Sequence, residues 1–361
     1  MSRSGRHDLF ALTEEQTLVQ AAARQFAADE ARPAARASDE VGEFPETLLR
    51  RAWELGLAKS AAAVEPMDQP AVLNAVALDE IAHGDAALAV ALAGALGFAR
   101  AVATQGTEAQ CERHLAAFQS DTPVFAAVVT RDAGWFCGQG RATRARRAGN
   151  GWRIEGAKAL VPLAARCDRL LVTAETDEGV RGFIVETKSP YLRIEPAKGT
   201  LGMRALQMAD IVFDRVEVTD DDLLPGAMRR VIDASRIALT VVLGGLARAV
   251  YDYTLPYVKE RVAHGEPIGR KQAIAFRLAD MHIAANAIRW TGLRAAAELD
   301  SNLKGARTAR LAQRYAADHA LKIADEGVQL FGGYGFIRDY PLEMWYRNAR
   351  SLSVLDGLIG V

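Results

Sequence analysis

The feature that most constrains this chain is a change of hydrophobic period in its middle third. Val124-Phe125-Ala126-Ala127-Val128-Val129 is β-prone, and WRIEG (152–156), RLLVTAET (169–176), GVRGFIVE (179–186), YLRIEP (191–196) and ADIVFDRVEV (209–218) follow it. Gly, Pro, Asn and Asp separate these short runs, and no helical period intervenes, which is the pattern of an antiparallel β domain. Without helices between the strands there are no βαβ units. Gly138-Gln139-Gly140 therefore lacks the strand–glycine–helix context that a dinucleotide site requires.

Helical periods flank that region on both sides. Thr13 and Gln16 form a capping box, with Val19, Ala22 and Phe26 on one face behind it. ETLLRRAWELGL (46–57) repeats the pattern through Leu48, Ala52 and Leu55, with Gly56 near the stop, and Ala71 to Ala103 is small and apolar enough for burial on most sides. After Asp220-Asp221-Asp222 and Pro225-Gly226 the helical period returns, predicting long helices at 229–260, 268–300 and 304–331 and a shorter one at 340–355. The expected fold is α+β and multidomain: an N-terminal α-helical domain (1–120), a middle antiparallel β domain (121–228) and a C-terminal four-helix bundle (229–361).

Charge and composition narrow the function. Forty-four basic against 45 acidic side chains leave a net charge of −1, so no positive field selects nucleic acid or an anionic membrane. Ala86 to Ala99 is apolar but too short for a bilayer and reads as a buried helix. Cys111, Cys137 and Cys167 form no C-x-x-C pair and read as reduced thiols. The opening MSRSGRHDLF has no apolar core, so a cytoplasmic location is expected. The six histidines (His264 among them) show no metal-ligand spacing, and no metal site is expected. No G-x-S-x-G string supports serine hydrolysis. Arg141, Arg144, Arg146 and Arg147 read as a basic run in a loop-rich segment: a solvated face, or a dock for a phosphopantetheine carrier or a coenzyme A phosphate.

Several strings carry a family likeness. They are Tyr257-Val258-Lys259-Glu260-Arg261, Gln272-Ala273-Ile274, Leu278-Ala279-Asp280-Met281, Gln329-Leu330-Phe331-Gly332-Gly333, Tyr340-Pro341-Leu342-Glu343 and Arg347-Asn348-Ala349-Arg350. Gly202-Met203-Arg204, Ile211-Val212-Phe213 and Gly106-Thr107-Glu108 are weaker pieces. In this order the chain resembles the acyl-CoA dehydrogenase family of flavoproteins. The resemblance implies FAD lying between the β domain and two bundles of a homotetramer-like assembly. Positions matching Arg261, Ile268 and Gln272 then contact the adenine and pyrophosphate half from a neighbouring subunit, and those matching Gln329, Gly332 and Gly333 do so on another face. His264 stands where the family has an aromatic against adenine. Read alone, Gly332-Gly333 is equally a helix stop and Arg261 a solvated side chain.

At the flavin end Thr130 matches a family threonine, but the following serine is missing. Lys158-Ala159-Leu160-Val161-Pro162-Leu163 places Leu160 for the ring-covering aromatic and Pro162 for a hydroxyl donor. The family removes an α proton from an acyl thioester and passes the β hydride to flavin. Its usual base, nine residues after the matching arginine, falls on Asp356, one methylene short; residue type alone reads Asp356-Gly357 equally as a turn. The other base position is Ser235, beside Arg236, which lines the site.

The leading expectation is an FAD oxidoreductase desaturating an acyl thioester of coenzyme A or an acyl carrier protein. Asp356 and Arg236 are its catalytic pair, and it passes electrons to an electron-transfer acceptor. Self-association, or association with a paralogous subunit, completes it. The rivals are a catalytically idle partner subunit in a hetero-oligomer and a flavin oxidase or monooxygenase with an Asp base.

Overall fold

The computed structural model describes residues 12–65, 68–133, 142–301 and 306–355. Seven helices come first: α1 (Glu14–Phe26), α2 (Arg32–Val41), α3 (Glu46–Glu54), α4 (Leu57–Ala61), α5 (Pro70–Gly84), α6 (Ala86–Gln105) and α7 (Glu108–Leu115). The capping box at Thr13 is present, with Gln16 reciprocating. Ala23, not Ala22, joins Phe26 on the buried face of α1, and Ala22 is exposed. The small, apolar stretch predicted from 71 to 103 is two helices. Asp85 divides them with an extended backbone, and its carboxylate accepts the Ala87 N–H at 2.8 Å to cap α6. Burial pushes the Asp85 carboxyl up to about 6. Among the described residues α6 is the one helix long and apolar enough to cross a membrane, and most of it is buried inside the protein.

Strands follow: β1 (Ala126–Val129), β2 (Arg144–Ala148), β3 (Gly151–Val161), β4 (Arg169–Thr176), β5 (Gly179–Glu186), β6 (Leu192–Pro196), β7 (Ala209–Thr219) and β8 (Leu223–Leu224). Their order is β6-β7-β3-β2-β4-β5-β8, with β1 paired to β4. Most pairs are antiparallel, as expected. β1 and β4, however, run parallel, and β2 meets β4 in parallel at Arg144–Glu175, so the sheet is mixed. The basic run also needs correcting, because Arg144, Arg146 and Arg147 lie on β2 rather than in a loop. Arg144 pairs with Glu175 at 3.7 Å, and Arg147 pairs with Asp220 at 2.5 Å while covering the Trp152 ring at 4.2 Å.

The chain closes with α8 (Met228–Glu260), a small hairpin of β9 (Val262–Ala263) and β10 (Glu266–Pro267), then α9 (Gln272–Asp300), α10 (Ala306–Phe331) and α11 (Leu342–Ser353). α10 packs against α8, α9 and α11, which makes the expected four-helix arrangement. Gly332 ends α10 in the left-handed region (φ +59°), a conformation glycine adopts without a Cβ clash.

A buried charge cluster joins the first helices to the bundle. Asp79 and Glu80 on α5 are 2% and 1% exposed, and Arg248 of α8 reaches them at 2.8 and 3.3 Å. Arg289 of α9 approaches Asp79 at 3.3 Å, and Arg24 of α1 reaches Glu80 at 2.9 Å. Burial pushes the Asp79 carboxyl up despite the two arginines. Glu80 shifts the other way: the Arg24 hydrogen bond and the charges on Arg248, Arg24 and Arg289 outweigh burial. Breaking a buried pair strands its partner without solvent or counter-charge. Arg248→Met is therefore expected to destabilise the fold by about 3 kcal/mol in chemical denaturation. Arg24→Ala, at a 60% exposed side chain, is expected to cost under ~1 kcal/mol.

Candidate functional site

The most unusual part of the molecule is where α11 meets the other two parts of the chain. Arg32, Arg36 and Asp39 lie on one face of α2, at spacings of four and three. Arg32 covers the Trp345 ring at 5.0 Å, Arg36 pairs with Glu343, and Asp39 takes a two-pronged bond from Arg347 at 2.6 and 3.1 Å. Arg347 also bonds Glu343 at 2.7 Å and donates to the Leu201 carbonyl at 3.1 Å. Burial opposes its charge, but its hydrogen bonds to Asp39 and Glu343 prevail and hold the guanidinium above its ordinary range. The loop between β6 and β7 is bound to the same helix. Gly202 N–H donates to Ser351 Oγ at 3.0 Å, and Met203 N–H donates to Asn348 Oδ1 at 2.8 Å. Two separate sequence motifs, Gly202-Met203 and Arg347-Asn348, are thus the two sides of one contact.

That contact fixes where the chain leads after α11. Arg131, only 7% exposed, donates from Nη1 to the Val354 carbonyl at 2.7 Å, so residue 354 lies against the end of β1. Next to Arg131, the buried Thr130 Oγ has no hydrogen-bond partner among the described residues. Lys158 lies behind them, 1% exposed. Its Nζ donates to Asp132 Oδ1 at 2.8 Å and Thr173 Oγ at 3.2 Å, and Thr143 Oγ donates to the same Asp132 oxygen at 2.7 Å. Burial pushes the Lys158 ammonium down, against the pull of Asp132. Leu160 has φ +53°, and its N–H donates to Asp210 at 2.8 Å. Asp356, the expected base, lies outside the described residues, as do Cys137, Gly138-Gln139-Gly140 and Arg141.

Arg236 is half-buried on α8 and pairs with Asp233 at 3.4 Å; both line an open cleft between α8 and the β4–β5 hairpin. Ser235 is fully buried, and its hydroxyl donates back to the Val231 carbonyl at 3.0 Å, an ordinary core role.

A second group gathers at the far end of the bundle. Arg261 and His264 flank β9, with His264 at the hairpin tip (φ +57°), and the Ile268 N–H donates back to the Arg261 carbonyl at 2.8 Å. Arg261 lies over the Tyr334 ring at 5.7 Å, which brings it beside Gly332 and Gly333. Gln272 begins α9, and Gln329 is exposed near the end of α10. Nothing lies within 4 Å of a Cβ built on Gly332 or Gly333, leaving room for a ligand to approach the backbone. No hydrogen bond, ion pair or ring contact among the described residues joins this group to Thr130.

Sequence reasoning missed Arg131, Asp132 and Asp39 as site-forming groups. For Arg131 and Asp132 the available signal was a charged pair one residue beyond the apolar strand 126–129.

Three family models match the chain: acyl-CoA dehydrogenase N-terminal domain over residues 13–121, middle domain over 131–216 and C-terminal domain over 225–361. A probable acyl-CoA dehydrogenase, YngJ, of Bacillus subtilis is 30% identical, with 96% of each chain covered. A 3-(aryl)acrylate reductase of Clostridium sporogenes is 28% identical over 96% of this chain and 95% of its own. Among solved structures, butyryl-CoA dehydrogenase from Megasphaera elsdenii superposes with a TM-score of 0.86 at 25% identity, covering 97% of this chain and 96% of that one. A helical–β–helical chain matched throughout in this way is an oxidoreductase of the flavoprotein class. It belongs to the acyl-CoA dehydrogenase family, whose members use FAD.

The close approach at Gly202 gives a direct test. A Cβ there would meet the Arg347 carbonyl carbon and oxygen at 2.4 Å, both backbone atoms that cannot swing aside. Gly202→Ala should lower stability by about 1–3 kcal/mol. By displacing α11 it should also lower turnover by about 10²-fold. Thermal melting and steady-state rates measure the two effects.

Proposed function

We propose that this chain binds FAD and interconverts a saturated acyl thioester with its α,β-unsaturated counterpart, using Asp356 to take or return the α proton. The observation that carries this reading is the anchoring of α11. Its bonds to α2, to Gly202-Met203 and, through Val354, to Arg131 bring the chain to the end of β1 two residues before Asp356, beside the unpartnered Thr130 hydroxyl. A base must be held within hydrogen-bond reach of the proton it moves, and a root held by three parts of the chain supplies that precision.

The residues present fit the cofactor. Thr130 offers a free hydroxyl at the flavin end, and Lys158 and Asp132 behind it hold the end of β1 in place. Arg261 offers a charge-assisted donor to phosphate at the other end, and Gly332 and Gly333 leave room for close approach. FAD, when bound, supplies the hydride acceptor or donor. Arg236, held by Asp233, lines the acyl cleft and orients the anionic end of the substrate. The relatives include both a probable dehydrogenase and a reductase, so the physiological direction follows from the electron-transfer partner rather than from the site.

Because no contact among the described residues joins Thr130 to Arg261, His264, Ile268 and Gln272, a second copy completes each cofactor site in this reading. Support comes from Phe276, Ile283 and Trp290 on α9, seven residues apart and 62%, 63% and 44% exposed, a stripe suited to a partner helix. Ile283→Asp is expected to shift sedimentation to a smaller species with reduced flavin content; an unchanged assembly would count against the stripe.

Reconstitution with FAD and anaerobic addition of butyryl-CoA test the chemistry. Wild type should show a bound-flavin band that the acyl thioester bleaches. Asp356→Asn should keep the band while bleaching about 10³-fold more slowly. Equal bleaching in the variant would remove Asp356 from the mechanism.

A further inference from the structure

The cleft that Asp233 and Arg236 line is broader and more positive than an acyl chain requires. It lies between the β4–β5 hairpin, the start of α8 and the first half of α10, with a volume of about 1010 Å³. Six arginines line it (Arg181, Arg229, Arg236, Arg307, Arg310 and Arg314) against two carboxylates, Glu178 and Asp233. The chain as a whole carries a net charge of −1, so this concentration is local. Both carboxylates are already engaged, Glu178 with Arg181 at 2.7 Å and Asp233 with Arg236 at 3.4 Å. Arg307, Arg310 and Arg314 make no ion pair among the described residues, whereas Arg229 adds its charge to that of Arg236 on Asp233. The arginines of β2 differ, since Arg144 and Arg147 are matched by Glu175 and Asp220.

Arg307, Arg310 and Arg314 recur at three and four residues, which puts them on one face of α10 over a rise of about 10 Å. Like charges at that spacing repel and destabilise the helix, so the folded chain gains nothing from them by itself. All three are exposed. Between them sits Leu311, 56% exposed, and across the cleft on the hairpin is Val180, 50% exposed. A small phosphate ligand is gripped by converging, largely buried donors. Exposed apolar side chains ringed by exposed arginines have instead the composition of a protein–protein contact, where Arg is enriched and the apolar centre is desolvated on docking.

We propose that this cleft docks an acidic carrier protein that presents the acyl group on a phosphopantetheine arm. The proposal rests on the acyl-thioester reading above and names the carrier for it. The unmatched guanidiniums of Arg307, Arg310 and Arg314 take the partner's carboxylates and the phosphodiester at the root of the arm. Val180 and Leu311 supply the apolar centre. The arm then enters past Asp233 and Arg236, at the floor of the same cleft. Steering by these three exposed charges makes association fast and strongly dependent on salt.

The experiment uses the FAD-loaded protein and an immobilised acyl carrier protein bearing a butyryl-phosphopantetheine arm, with free butyryl-CoA in a parallel arm. Wild type should bind the carrier at low salt and lose at least about tenfold in affinity at physiological salt. The triple variant Arg307→Glu, Arg310→Glu, Arg314→Glu should weaken carrier binding by about 100-fold while leaving the KM for butyryl-CoA within about twofold. The milder pair Arg310→Gln with Arg314→Gln should give an intermediate loss, which keeps the test sound if the triple variant folds poorly. Absence of carrier binding by wild type, or equal binding by the variants, overturns the proposal. So does a rise in the butyryl-CoA KM matching the loss of carrier affinity, which would make the cleft a nucleotide subsite. Failure of the dehydrogenase reading looks different: the carrier binds but neither acyl thioester bleaches the flavin.

Discussion

The structure depends most on one contact between helices some three hundred residues apart in sequence, in which α2 holds α11 through alternating charge. Arg36, Glu343, Arg347 and Asp39 form a continuous chain of opposite charges, with Arg32 closing it over Trp345. The two-pronged Arg347–Asp39 bond is the geometry in which a guanidinium and a carboxylate gain most from partial burial. The carbonyl of Leu201 and the side chains of Asn348 and Ser351 then tie the same helix to the sheet. α11 is therefore a strut shared by all three parts of the chain, and the segment after it leaves from a fixed point.

The proposed function rests on that fixed point together with what lies around it. Arg131, buried at the end of β1, takes hold of Val354 across the gap, and the adjacent Thr130 hydroxyl is left without a partner. Folded proteins rarely leave a buried hydroxyl unpaired, so an unpaired one marks a place for something else. Leu160 and Pro162 stand where the resemblance leads one to expect an aromatic cover and a hydroxyl donor. Lys158 and Asp132, meanwhile, tie β1 to β3 at the same place, with Lys158 reaching Thr173 of β4. The residues proposed for the adenine end lie apart on the β9–β10 hairpin and beside Gly332, in keeping with the proposal of a cofactor shared between copies.

Much of this was legible in the sequence because it is local. The capping box at Thr13, the strand runs and the long helices of the bundle are set by periodicity and by residues a few positions apart, and the observed boundaries lie close to those expected. β2 was missed because Arg144-Ala145-Arg146-Arg147-Ala148 buries only Ala145, so its inward face carries almost no apolar signal. The break at Asp85 lies inside a run of helix-forming residues, with only Gly84 beside it as a stop signal, and the Asp85 carboxylate caps the helix that follows. The site was harder still. Arg131 with Val354, Gly202 with α11 and Asp39 with Arg347 pair residues 149 to 308 apart, and nothing near any one of them announces its partner. Asp356 stands nine residues after Arg347, which is also the residue that anchors α11.

The central claim is that a site with an altered flavin end still holds its cofactor and uses it. The most direct measurement is the visible absorbance spectrum of the purified chain after incubation with FAD and removal of the excess. The account predicts a stoichiometric flavin band, shifted from free FAD, that Thr130→Val diminishes. A protein that emerges colourless, with its fold intact by circular dichroism, would contradict it.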